Sequence, residues 1–230
     1  MLYLTAGMFY TRYVLRSSFL LILFLAGFGI RVVLAFVLYL THPPDGHIFP
    51  DDLYYMRTGL AILDYWKTRQ FLNLDMYRLI AGSRNWGYSF YNALHYLMIP
   101  SHLLPSVSNA FVGSLLGIAV YRLARELFEA RIARISAILT TFHSGLIWYS
   151  AVNLKDSLVA LTIVLTLYYG VSCLRAHGGK NLLKMLGVAV VLFTLRFYMA
   201  PFALAFVAFY WFFHSGVRLE RKLLLVSVLV

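Results

Sequence analysis

The stretch SSFLLILFLAGFGIRVVLAFVLYL, residues 17–40, decides the fold class. It runs for 24 residues with one charge, Arg31. A bilayer core takes roughly 20 consecutive apolar residues as a helix. In lipid, only helices and closed barrels satisfy every backbone polar group. This run is continuously apolar and lacks the alternation of barrel strands. It predicts a membrane-spanning α-helix.

The same texture continues along the chain, in apolar segments at roughly 109–127, 133–151, 157–174, 182–197, 199–214 and 223–230. Of 230 residues, 61% are apolar or aromatic and 13% are charged, against about 25% charged in a soluble domain. The expected fold is therefore all-α, a polytopic transmembrane helix bundle forming one module over residues 1–230. The last segment is too short to cross, so the chain is expected to be part of a longer one. The first span is too long for a cleaved signal peptide, and Leu38–Thr41 lacks small residues for cleavage. The lone cysteine, Cys173, excludes a disulfide within the chain.

The net charge of +11 would suggest nucleic-acid binding in a soluble protein. Here the bases lie between apolar runs, so they report topology, and no nucleic-acid partner is expected. With the N-terminus cytoplasmic, that side holds Arg12, Arg16, Arg122, Arg125, Arg131, Arg134, Arg175, Lys180, Lys184, Arg218, Arg221 and Lys222. Its acids are Glu126, Glu129 and Glu220. Every connector obeys the positive-inside pattern. The chain is expected in the cytoplasmic membrane, multi-pass.

This orientation leaves 41–108 as a long outer loop. Gly87–Ile99 is apolar, but short, and carries Asn92 and His95. It reads as an interfacial or re-entrant helix, because crossing there would put Arg122–Arg134 outside. After Pro50, the spacing of Leu53, Met56, Leu60 and Leu63 predicts an amphipathic helix lying on the membrane.

Three connectors bring ionisable residues to the outer face: Asp51 and Asp52 after the first span, Lys155 and Asp156 between the third and fourth, and Arg196 in the next. Each has a plain structural reading. Acids after Pro50 suit a helix N-terminus, Lys155–Asp156 suits a loop pair, and Arg196 suits an anchor in the headgroups. Their convergence on one face is the functional signal. Arg31 costs about 2.5 kcal/mol or more near the middle of a span, so it should face the bundle and find a polar partner. His42, His47 and His95 lack the tight spacing of a zinc site. Tyr39, Trp148 and Tyr149 fit an interfacial aromatic belt. There is no phosphate-binding glycine loop and no nucleophile elbow.

The acidic pair in Phe49-Pro50-Asp51-Asp52-Leu53-Tyr54-Tyr55 resembles the Asp-Glu motif of the GT-C membrane glycosyltransferases. The branch it resembles is that of the polyprenyl-phosphate-mannose protein mannosyltransferases, glycosyltransferase family 39. Gly87-Tyr88 through Tyr91, Val120 through Phe128, and Tyr149-Ser150 followed by Lys155-Asp156 are similar to further segments in the same order. The resemblance covers most of residues 20–200. The second acid departs from the pattern, being Asp52 where the family usually has Glu.

The resemblance implies an enzyme that moves a sugar from a polyprenyl-phosphate donor to the hydroxyl of a lipid, glycan or protein acceptor on the outer face. It makes Asp51 the general base, with Asp52 beside it. From their charge and placement, Lys155 and Arg196 are candidates to meet the leaving phosphate, and Asp156 and Tyr55 complete the substrate-binding candidates. A divalent metal, Mg or Mn, would fall to Asp51, Asp52 and Asp156. The alternatives are a polytopic transporter or lipid flippase, or a non-catalytic subunit of a membrane assembly.

Overall fold

The computed structural model describes residues 2–9, 11, 17–41, 48–68, 75, 85–99, 101–176 and 179–214. Among these every regular element is a helix: α1 Leu2–Phe9, α2 Ser18–Thr41, α3 Pro50–Lys67, α4 Trp86–Met98, α5 Leu103–Leu127, α6 Ala130–Phe142, α7 Ser144–Ser150, α8 Asp156–Ala176, α9 Gly179–Leu195 and α10 Met199–His214. Helices α2, α5 and α8 are long and apolar enough to cross a membrane, and α10 is a shorter apolar helix.

Helix α5 is the centre of the bundle, packing on α2, α6 and α8, while α8 also carries α9 and α10. Its face toward α6 and α7 is made of small residues. A Cβ at Gly117 would lie 2.1 Å from Thr141 Oγ1, and one at Gly113 would lie 2.6 Å from Ser150 Cβ. In lipid, such close backbone approach supplies the packing that holds helices together. On the other side, Phe24 and Phe28 of α2 meet Phe111 of α5 edge to face. Helix α1 joins this cluster through Tyr3, whose ring lies 5.2 Å from that of Phe111.

The apolar run 133–151 is two helices rather than one. The chain extends at His143 (φ −63°, ψ 120°), whose ring accepts a hydrogen bond from the Leu146 N–H and caps α7. Ser144 and Gly145, placed after that histidine, favour a cap over a continued helix. The helix expected from 109 begins at 103 instead, with Pro105 in its first turn.

Between α2 and α5, the described residues form the pair α3 and α4. Pro50 opens α3, with Asp51 and Asp52 in its first turn. The face that α3 buries is Tyr55, Thr58, Gly59, Ile62 and Leu63. Of the expected stripe, Leu63 joins this buried face and Leu60 is 40% exposed. The reason is small-polar complementarity with α4. Gly59 packs on Asn92, and Thr58 Oγ1 lies 3.0 Å from Ser89 Oγ. Helix α4 turns Leu94, Leu97 and Met98 outward and its polar face inward, as a helix against lipid does.

Candidate active site at one end of the bundle

The site begins with the five residues 151–155 between α7 and α8. Their backbone is held by Asn109, a fully buried residue of α5. Its Nδ2 donates at 2.8 Å to the carbonyls of Val152 and Leu154, and to the Tyr88 hydroxyl. Two amide hydrogens thus serve three oxygens. Tyr88 in turn donates to Asn153 Oδ1 at 2.8 Å. Buried polar groups are costly unless paired, and this network pairs the turn from both α4 and α5. The turn ends by presenting Lys155.

Lys155 points at the start of α3. Its Nζ donates a hydrogen bond to the Tyr55 hydroxyl and lies 3.8 Å from Asp51 Oδ2. The lysine side chain is 6% exposed and that of Asp51 is 67% exposed. Tyr55 is buried and stacks edge-on against Tyr88, with ring centroids 4.7 Å apart. Its hydroxyl also accepts from Asn85 Nδ2 at 3.4 Å.

The next residue, Asp156, opens α8, where the helix dipole favours a carboxylate. Its Oδ1 lies 3.6 Å from Arg196 Nη1. Arg196 sits in the tight turn between α9 and α10. Its N–H donates to the Leu192 carbonyl, and its own carbonyl accepts from the Met199 N–H. The guanidinium also lies 5.7 Å from the centre of the Tyr198 ring.

These charges act on one another. Burial lowers the affinity of Lys155 for its proton, Asp51 and Asp156 raise it again, and Arg196 lowers it further. Burial pushes the Tyr55 hydroxyl up, and Asp51 and Asp156 push it further in the same direction, so Tyr55 stays protonated. Asp51, Tyr55, Lys155, Asp156 and Arg196 therefore form one electrostatic unit drawn from three separate connectors. Asp52 is half-buried, and its charge acts on Tyr88 and Tyr96 of α4.

Arg31 stands apart from this unit. It is fully buried, donating from Nε to Ser150 Oγ at 2.8 Å and from Nη1 to the Gly27 carbonyl at 3.0 Å. It therefore binds α2 to the end of α7, the segment that leads into the 151–155 turn. His95 bonds the Tyr91 carbonyl and Ser108 Oγ, which accounts for both ring nitrogens. His42 and His47 lie outside the described residues. Among the described residues, no group of three or more histidine, cysteine or acidic side chains gathers in a way that holds a metal. Asp51 and Asp156 each face a cation.

Sequence reading missed Asn109, Asn153 and Asn85, and named Tyr88 only within a segment that resembles the family. Asn109 did carry a signal, as an amide at the edge of an apolar helix, where a polar group needs a partner.

The family model for dolichyl-phosphate-mannose-protein mannosyltransferases matches residues 79–230, well over half of the chain. The match contains Lys155, Asp156 and Arg196, and starts after Asp51 and Asp52. No match is found among curated proteins or among solved structures.

Proposed function

Because this chain belongs to the dolichyl-phosphate-mannose-protein mannosyltransferase family, membrane glycosyltransferases of the GT-C type, we propose that it transfers a sugar from a polyprenyl-phosphate donor to an acceptor hydroxyl at the Asp51–Lys155 end of the bundle. The observation that carries this reading is the pairing of an exposed carboxylate, Asp51, with a buried ammonium, Lys155. The ammonium lies behind the Asp51 carboxylate, while most of that carboxylate stays open to an incoming hydroxyl.

In the proposed step, Asp51 takes the proton of the acceptor hydroxyl as its oxygen bonds the anomeric carbon. The bond from that carbon to the phosphate oxygen breaks, and its electron pair leaves on the lipid phosphate. Charge grows on the phosphate as it departs, so a nearby cation acts more strongly in the transition state than in the ground state. Arg196, with 29% of its side chain exposed, meets the phosphate from the surface. Lys155 adds positive potential from beneath and orients Asp51. Tyr55, kept protonated, anchors that lysine. Asp156 holds Arg196 in place. No step passes through a metal.

The charge pattern of the connectors supports an extracytoplasmic site and a cytoplasmic N-terminus. A donor with a lipid tail suits a site at the membrane surface, and the acceptor is a lipid, glycan or protein that reaches that surface. A transporter or flippase would also use a broken helix such as α6–α7. Here, however, the paired charges sit at the connectors, away from the break at His143.

The test is transfer from a radiolabelled polyprenyl-phosphate-mannose donor by membranes containing the full chain. Product above that of membranes carrying Asp51→Asn is expected. Equal product from the two membranes, across lipid, glycan and peptide acceptors and alternative sugars, would overturn the reading.

A further inference from the structure

A cavity of about 320 Å³ lies between α1, α5 and α8, and its Arg122 end is the one away from Lys155. Its walls include Gly7, Phe111, Leu115 and Leu165, all apolar, and its polar lining is at one end, Arg122 with Tyr169. Phe111 and Arg122 are eleven residues apart on α5, which is about 16 Å at 1.5 Å per residue. The cavity is thus a narrow apolar slot with a cation at its mouth. Aromatic rings fix the cations there. The Arg122 guanidinium lies 4.7 Å from the Tyr168 ring centre, and Lys184 Nζ lies 5.6 Å from that of Tyr169.

We infer that this slot binds one anionic phospholipid from the leaflet facing the Arg122 end, with an acyl chain in the slot and the phosphate at Arg122 and Lys184. The apolar walls favour hydrocarbon over water. The guanidinium fork matches phosphate oxygens two at a time. Arg125, Arg131 and Arg134 follow in the same connector region, so the mouth opens into a positive field that favours an anionic headgroup over a zwitterionic one. The length of the slot suits an acyl chain and is far short of a polyprenyl tail. The proposal is independent of the transfer reading, and its test measures no sugar transfer.

The test uses detergent-purified full chain titrated with phosphatidylglycerol or phosphatidylcholine of identical acyl chains, followed by native mass spectrometry. The wild type should retain phosphatidylglycerol about fivefold better, the worth of roughly one basic contact. Arg122→Gln should erase that preference. Ala119→Leu, which fills the slot at a lining residue, should lower retention of both lipids. Arg125→Gln, an exposed base outside the lining that adds only to the surrounding field, should lose far less of the preference than Arg122→Gln. Equal retention of the two lipids by the wild type would overturn the proposal, as would equal losses in Arg122→Gln and Arg125→Gln, full retention in Ala119→Leu, or displacement of phosphatidylglycerol by an equal concentration of polyprenyl phosphate. Should Ala119→Leu fail to fold, the contrast between the two arginine variants still decides.

Discussion

Lys155 lies beneath the Asp51 carboxylate, its Nζ 3.8 Å from Oδ2, in a pair whose acid is 67% exposed and whose base is 6% exposed. The asymmetry matters because a surface pair would be screened by solvent and contribute little. Here the buried partner is held by Tyr55 as well, so the acid has a fixed cation behind it and an open face in front.

Asp51→Asn should therefore lower the transfer rate by about 10²–10⁴-fold, the usual cost of removing a general base. Asp52→Asn should cost much less, because Asp52 acts on Tyr88 and Tyr96 rather than on the Lys155 unit. Initial rates for the two variants, at matched membrane levels, check this. The opposite ranking would move the base to Asp52.

The alkaline limb of the transfer rate should reflect Lys155. Burial lowers its proton affinity below the ordinary lysine value of 10.5, so its charge is lost as pH rises through that lowered value. Asp156→Asn removes a carboxylate that favours the ammonium and should move the limb to lower pH. Arg196→Gln removes a cation that opposes it and should move the limb to higher pH. A pH–rate series on both variants checks for these opposite shifts. Shifts in the same direction would exclude Lys155 as the titrating group.

Asn109→Leu keeps the volume but leaves the Leu154 carbonyl and the Tyr88 hydroxyl without their donor. One unsatisfied buried group costs about 1–3 kcal/mol. Thermal unfolding in detergent should show a loss of that size. Tyr88→Phe, which leaves Asn109 bonded to both carbonyls, should lose less. The transfer rate should fall with Asn109→Leu because the turn that carries Lys155 is no longer pinned.

Ser150→Ala should destabilise by about 1–3 kcal/mol, because it strips a buried guanidinium of the acceptor at Nε. In an Arg31→Met background the same substitution should be nearly neutral, since no buried donor remains to be stranded. A double-mutant cycle on unfolding free energy measures the difference. Additive losses would show that Arg31 and Ser150 do not act as a pair.

In a Cys173→Ser background, single cysteines at Lys67 and Arg131, both exposed, report topology. A membrane-impermeant thiol reagent applied to intact cells should label position 67 and spare position 131. The reverse pattern would invert the orientation.

Hydropathy and charge are sums along the chain, so sequence alone determined that this is an all-α membrane bundle, where its apolar helices run, and that acids and bases collect in three connectors. A run such as 17–40 meets lipid whatever its neighbours do. The tertiary structure decided the pairings. Arg31 and Ser150 lie 119 residues apart in sequence, and Lys155 and Tyr55 lie 100 apart, so no local pattern joins them. It also decided that Asp51 rather than Asp52 meets the lysine, that Gly59 turns α3 onto Asn92, and that the third apolar run breaks at His143. In the pairings and at Gly59, a buried polar group or a missing Cβ found its complement on another helix, and such complementarity exists only once the helices have packed.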